Sequence, residues 1–577
     1  MPVDKCSKPR KDRKRSPSPE CRKRSLSPEC RKRSLSPECR SFAELYEYYK
    51  YQLLTDDRLM VAGSNAYANA TNVQSDKIPK EFPIDLKNNV NLVHVDHFND
   101  GAPFHVRKAG IYALFFVIST DNAAQVAVYV NGVAMPLSRV GNNSGSGQLR
   151  IQTLLDLKKN DGIVIRNSDS SSAAIQSDIG DGGLENGNPS TILIMRIGVS
   201  PADLLTDRCE PEFTRCQLKL YKKLKNKMLT DHALMLKGSN AYGSFFTYLE
   251  QTIPVNADIQ WDNMTQVTGL TWDPLLPERA TVTVDGVYKV LFVLNTDRAA
   301  QLTICVNGIP QLSTTQGVNK GASQISSRTL LELKAGDYIT VRNYTSSIGQ
   351  VKLIENSGGL LPAIAAVLVL YKIAPPLVLA VLPPKPAFCL SDDDYTAFLS
   401  YLHARDELTI QGTTRYLNLT SDTNLKIPVD AAIDFNIMGV THGFSYLPGT
   451  PSITIEQSGV YLILFDILTA QPSQVTMFVN NVPDLLTTSG RDSGGSRLNL
   501  TQLVSLKQGD VIDFRNYISS SELEISLNAG GNLVGNARKV GILLIAPADE
   551  EVKHKHMYCK PVPREEPKKV DKEYVFY

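Results

Sequence analysis

Few residues in this chain are suited to chemistry. His94-Val95-Asp96-His97, with His105 nearby, gathers imidazoles and a carboxylate, the donor types that hold zinc when three or four converge. Side chains alternate along an extended strand, however, so His94 and His97 are expected on opposite faces. His554-Lys555-His556 and Cys559 form a second such cluster near the C-terminus. No nucleophile elbow, phosphate-cradling glycine loop or metalloprotease helix motif occurs. The expectation is a chain with no catalytic residue, no metal ligand and no cofactor, and hence not an enzyme.

Modification chemistry is better represented. Ser16, Ser18, Ser27 and Ser36 each precede a proline inside an arm that repeats Cys-Arg-Lys-Arg-Ser-Leu-Ser-Pro-Glu from Cys21 and again from Cys30. Residues 1–40 hold 14 Lys/Arg against 5 Asp/Glu, so the arm carries +9 while the rest of the chain carries −7. Dense charge with little apolar surface predicts disorder. Phosphorylation of the four serines would add about −6 to −8 and nearly cancel the arm's charge. The arm is therefore expected to dock on an anionic partner, nucleic acid or an acidic protein, under phosphorylation control.

These features need a scaffold, and the scaffold repeats. Gly110-Ile111-Tyr112 recurs as Gly286-Val287-Tyr288 and Gly459-Val460-Tyr461, at offsets of 176 and 173 residues. The same offsets carry Val130-Asn131-Gly132 to Val306-Asn307-Gly308 and Val479-Asn480-Asn481. They also carry Leu157…Asp161 to Leu333…Asp337 and Leu506…Asp510, and Arg166-Asn167 to Arg342-Asn343 and Arg515-Asn516. Each block is made of short β-branched or aromatic runs bounded by Gly, Asn, Asp or Ser, the signature of strands joined by tight turns. Asn-Gly marks a hairpin whose two central residues need positive φ. Asp161, Asp337 and Asp510 are expected as turn residues, and Tyr112, Tyr288 and Tyr461 as core. Arg166, Arg342 and Arg515 are expected to pair at a sheet edge or between domains.

Helical spacing precedes each block, at about 42–54, 212–229 and 392–408. The segments after the first two are near-identical, Ala62-Gly63-Ser64-Asn65-Ala66-Tyr67 and Lys237-Gly238-Ser239-Asn240-Ala241-Tyr242, whereas Ile410-Gln411-Gly412-Thr413-Thr414 has drifted. The fold class is thus all-β, three tandem jelly-roll sandwiches each preceded by a short helix. The boundaries are 1–40 for the basic tail, 41–200, 205–375 and 389–548 for the helix-plus-sandwich units, and 549–577 for a charged C-terminal tail. Leu360–Leu382 is nearly all apolar and about long enough to cross a bilayer, but Lys372 and Pro362, Pro375 and Pro376 argue for a buried strand and linker. Nine cysteines with no recurring paired spacing give no disulfide framework. With a polar start and no signal peptide, synthesis in the cytoplasm is expected.

In order and in triplicate, these strings resemble the complement/TNF-like jelly-roll family, the globular head of the first complement component and its relatives. The resemblance rests on Gly110 and Tyr112, Gly286 and Tyr288, and Gly459 and Tyr461. It continues through the Asn-Gly hairpins and the turns at Asp161, Asp337 and Asp510. Asn481 and Asn160 replace glycines of the pattern. Domains of that family form compact trimers, so the resemblance implies that three linked copies form one pseudo-trimer within a chain, or otherwise a homo-oligomer. The expected role is a structural or surface protein with other protein subunits as partners, and a virion of a large eukaryotic DNA virus is the setting these features fit together. The alternative is a multivalent receptor- or glycan-binding protein using the Gly/Ser/Asn-rich segments 138–149, 312–326 and 486–497 as loops.

Overall fold

The computed structural model describes residues 41–548 apart from 178–188, 201–212, 377–391, 526–537 and several shorter stretches. Ser16, Ser18, Ser27 and Ser36 and the cluster around His554 lie outside the described residues. Three helices, α1 (Phe42–Thr55), α2 (Arg215–Leu229) and α3 (Asp392–His403), each precede one sandwich. Ser41 and Thr214 start the first two with reciprocal capping boxes to Glu44 and Gln217, which satisfy donors that a helix start leaves open.

Each sandwich pairs an inner five-stranded antiparallel sheet with an outer sheet of short strands. In the first copy the inner order is Gly147–Leu157, Gly110–Thr120, Ser190–Gly198, Tyr67–Asn72, Asn88–Val93. The other copies repeat it around Gly286–Thr296 and Gly459–Thr469. The outer sheet of the first copy centres on Gly162–Asn167 between Phe104–Val106 and Ala124–Val130. Strand alternation divides each inner strand between two cores. Tyr112, Leu114 and Phe116 fill the first sandwich; Ile111, Ala113 and Phe115 point the other way, into a cluster shared with Val287 and Leu291 of the second copy and Leu462 and Leu464 of the third. Burial on both faces is why these strands read as unbroken apolar runs rather than as alternating ones.

The three helices pack on one another, with Tyr49 of α1 and Tyr221 of α2 meeting Phe398 of α3 at ring centroid distances of 4.6 and 5.2 Å. Two findings depart from the sequence expectations. In the segments 138–149, 312–326 and 486–497, expected as loops, the described residues include an edge strand and the start of a long inner strand in each copy. Backbone pairing overrides their Gly/Ser/Asn composition. Finally, the strand expected through the histidines breaks at His94, which adopts φ +48° between Asn88–Val93 and Val95–Asp96. The apolar stretch from Leu360 contributes the buried strand Ala366–Ala374, and no described helix is long and apolar enough to cross a membrane. Cys216 is disulfide-bonded, and Cys305 is a buried free thiol whose burial raises its pKa to about 11.

Candidate functional site at the junction of the three sheets

The repeated signature residues build turns. Asp161 accepts from Asn131 Nδ2 and from the Lys158 amide, each at 2.8 Å, while Asn131 Oδ1 accepts from the Gly162 amide at 2.8 Å. Asp337 with Asn307 and Asp510 with Asn480 repeat this tie between two turns. Asn131, Asn307, Asn480 and Asn481 all have positive φ, so Asn481 occupies the glycine position of the hairpin without changing it. The hydroxyls of Tyr112, Tyr288 and Tyr461 donate four residues back to Lys108 O, Val284 O and Gln457 O at 2.7, 2.6 and 2.6 Å. A Cβ on Gly110, Gly286 or Gly459 would lie 2.5, 2.8 or 2.6 Å from a carbonyl of the neighbouring strand, so close approach requires glycine there. Arg342 forms a two-pronged pair with Asp258 (2.7 and 3.0 Å), Arg515 one with Asp513 (2.6 and 2.9 Å), and Arg166 stacks on Tyr129. All three contacts stay within one sandwich, which replaces the inter-domain pairing considered from sequence.

The histidines do not converge. His97 stacks on Phe104 at 3.8 Å and bonds Asn89, His94 bonds the Asn65 carbonyl, and His105 faces the Asn160 carbonyl. Among the described residues, no group of three metal-ligand side chains forms.

What converges instead is the ground between the copies. Asn69 of the first copy donates to Thr329 of the second at 2.9 Å, Ser244 of the second bonds Gln502 of the third, and Asn418 of the third donates to Thr153 of the first at 3.3 Å. A backbone collar follows the same order: Ser64 N to Ile373 O, Ser239 N to Ile545 O, Thr413 N to Ile197 O, at 2.7, 2.9 and 2.7 Å. Gly63, Gly238 and Gly412 sit in this collar at φ +75°, +75° and +80°, with the facing carbonyl 2.3–2.5 Å from where a Cβ would be. The drifted third linker therefore keeps the glycine that the collar needs. Between collar and sheets lies a cavity of about 80 Å³, lined mainly by apolar atoms of all three copies, among them Met60, Met235, Tyr371 and Leu543.

Further along the junction the lining turns polar, an arrangement with no local sequence signature. Arg150 donates to Ser326 Oγ (2.7 Å), to the Gln324 carbonyl (2.6 Å) and to Gln148 Oε1 (2.8 Å). With its amide turned to suit its neighbours, Asn499 accepts from Arg150 Nη1 at 2.6 Å and donates to Asp466 at 2.9 Å. Asp466 also pairs with Arg497, both side chains being 1% exposed. Lys539 lies opposite Asp466 in the strand register, and burial, then Arg497, lower its pKa to about 7 while Asp466 opposes the shift. Burial likewise brings Arg328 down to about 10 and Lys289 well below the usual lysine range, the latter also through Arg328.

The outer surface repeats as well. The hairpin residues Val133, Ile309 and Val482 are 63%, 66% and 64% exposed, and Leu312 and Leu485 project beside the second and third.

No family model matches the chain, and no curated protein sequence matches it. Solved structures match a quarter of the chain or less each. Eiger TNF from S. frugiperda is 14% identical over 25% of this chain and 99% of its own, with TM-score 0.20. The globular domain of zebrafish complement 1qA protein is 14% identical over 23% of this chain and 98% of its own, with TM-score 0.19. GITRL from bushbaby is 20% identical over 20% of this chain and 87% of its own, with TM-score 0.14. The sandwiches themselves are antiparallel jelly rolls whose strand order repeats in all three copies.

Proposed function

We propose that this chain is a non-enzymatic structural or surface protein whose three jelly rolls form one pseudo-trimer within a single polypeptide. The observation that carries the reading is the cyclic order of contacts, first copy to second, second to third and third back to first. Head-to-tail contacts that return to their start leave no unmatched interface to recruit further copies. Linkage in one chain also makes each association intramolecular. The proposal extends to assembly with other protein subunits, in the setting of a virion of a large eukaryotic DNA virus. That extension rests on the sequence: tandem jelly rolls behind a basic Ser-Pro arm suited to an anionic partner.

Light scattering on the purified full chain across a range of concentrations tests the central claim. A compact particle of one chain, 63.5 kDa, at every concentration supports it; a trimer of chains refutes it.

A second reading, multivalent binding of a receptor or glycan, is favoured by the threefold repetition of exposed apolar residues at Val133, Ile309 and Val482. A rigid body offering one surface three times gains avidity without new contacts.

A further inference from the structure

The three chain exits at the collar differ in charge. Ile197, Ile373 and Ile545 each give a carbonyl to the collar, and the last strand of each sandwich leaves just beyond. Counted from those carbonyls, the fourth to sixth residues are Pro201-Ala202-Asp203, Leu377-Val378-Leu379 and Asp549-Glu550-Glu551. The glycine facing each carbonyl is preceded by Gln411, Ala62 and Lys237, respectively. The acidic exit thus leaves beside the one linker with a lysine there, Ala546 Cα lying 3.5 Å from where a Cβ on Gly238 would be. That linker folds against the end of α2. Asp231 N bonds Met228 O and Leu234 N bonds Asp231 O at 3.1 and 2.9 Å, and Leu234 and Leu236 share a core with Leu224 and Met228. The helix it continues is the basic one. α2 holds Arg215 and five lysines without a carboxylate, whereas α1 sets Glu44 and Glu47 against Lys50, and α3 opens on three aspartates with no Lys or Arg. Lys222, Lys223 and Lys227 are exposed, and no described carboxylate pairs with them; Asp231, the first after the helix, is taken by Lys50 at 2.6 Å.

We propose that Asp549, Glu550 and Glu551 dock on the exposed lysines of α2, so that the segment after the third sandwich straps that helix to it. The inference rests on the collar contacts of the pseudo-trimer, which bring the third copy's exit to the second copy's linker. Reach is sufficient: three to five residues beyond Ala546 extend about 10–18 Å, and Lys222 to Lys227 spans about 8 Å of helix. One exposed ion pair is weak, but the tether holds three carboxylates against three lysines at an effective concentration of about millimolar. The strap takes up half of the α2 cations and leaves the basic arm as the element that meets an anionic partner.

The test is zero-length carbodiimide cross-linking of the full chain, prepared as an equal mixture of light- and heavy-nitrogen protein and mapped by mass spectrometry. The pair of Lys50 and Asp231, which ties α1 to the turn after α2, is the internal control. Links from Asp549, Glu550 or Glu551 to Lys222, Lys223 or Lys227 within one chain are expected at about 50 mM salt. They should fall several-fold at about 500 mM, where exposed pairs are screened. A control link without tail links overturns the proposal, as do tail links confined to mixed-isotope pairs or to lysines outside α2 and its linker. Lysine acetylation gives a second readout. The variant Asp549→Asn/Glu550→Gln/Glu551→Gln should raise the rate at Lys222, Lys223 and Lys227 about twofold or more, as for a strap docked at least half the time, and leave the exposed Lys507 unchanged. Equal rates in variant and wild type overturn the proposal too. None of these failures alters the single-chain mass, so the pseudo-trimer stands or falls separately.

Discussion

Replacing Asp466 with Asn probes the junction most directly. The substitution keeps shape and volume but removes the negative charge from a site where Asp466 and Arg497 are each 1% exposed. Arg497 would then be a buried cation without a counter-charge, and Lys539 would lose the one group that supports its protonated form. Breaking a buried pair from one side costs about 3–5 kcal/mol. Lys539 can give up its proton and so limit its own share, which places the expected loss in that range and not above it. Urea unfolding followed by far-UV circular dichroism at pH 7.5 reads the loss as a lower midpoint. The double variant Asp466→Leu/Arg497→Met should recover most of the stability, because an apolar pair of similar volume carries no desolvation cost. If Asp466→Asn shifts the midpoint by less than about 1 kcal/mol, the size of one ordinary hydrogen bond, the pair is solvated and the junction is not closed as described.

Alkaline titration should reveal the same lysines. Lys539 and Lys372 have pKa values of about 7 and about 8 in the fold, lowered chiefly by burial, with Asp285 opposing the shift at Lys372. The unfolded chain holds those protons to about pH 10.4, so it binds more protons than the fold between pH 8 and 10 and stability rises with pH there, by at most about 1.4 kcal/mol per unit per lysine. Tm between pH 7.5 and 9.5 should climb, and Lys539→Met should flatten the climb; above pH 10 the buried tyrosines Tyr288 and Tyr371, whose pKa values burial raises, reverse the trend because only the unfolded chain ionises them. Gly238→Ala places a Cβ 2.5 Å from the Ile545 carbonyl at φ +75° and should lower Tm far more than Gly336→Ala, where φ is +97° but no atom lies within 4 Å. Asp337→Ala removes acceptors for Asn307 and the Lys334 amide at an exposed turn and should cost about 1–2 kcal/mol in urea. Changing Val133, Ile309 and Val482 together to Ser should leave Tm within a degree or two, as for exposed sites generally; retained glycan or receptor binding by that variant would rule these hairpins out as the docking surface.

Much of the sandwich was legible because its turns are local. Asn131-Gly132 demands positive φ from two adjacent residues, and the Gly-x-Tyr strings encode a close strand approach and a hydroxyl bond four residues back; such constraints leave marks within a few residues. The helices were legible for the same reason, each being a periodic stretch, the first two started by capping boxes at Ser41 and Thr214. The junction was not. Gln148, Arg150 and Gln152 look like the polar positions of a half-exposed strand, and only the neighbouring copies reveal that they are buried. One signal was available: Gly110–Thr120 is apolar at consecutive positions, which a sheet with a wet face does not require. The tail's serines lie beyond the described residues, so their reading stays where composition put it.

Linking the copies in one chain has a consequence that separate subunits cannot share. The long inner strands Gly147–Leu157, Ser323–Leu333 and Ser496–Leu506 each have eleven residues, and their second, fourth and sixth positions line the junction. At the second position stand Gln148, Gln324 and Arg497; at the fourth, Arg150, Ser326 and Asn499; at the sixth, Gln152, Arg328 and Thr501. Each layer carries one guanidinium, and each time a different copy supplies it. Identical subunits would bring three guanidinium groups into a layer, at a repulsion of about 4 kcal/mol per pair for charges 4 Å apart at an effective dielectric of 20. Three divergent copies avoid that, and Gln148, Gln324 and Ser326 accept from or flank the single cation instead. The same divergence fixes order, because exchanging two copies would separate Arg150 from Ser326 and Gln324. The substitutions that blur the repeat at these positions are thus what would make one arrangement of the three sandwiches preferable to its mirror sequence.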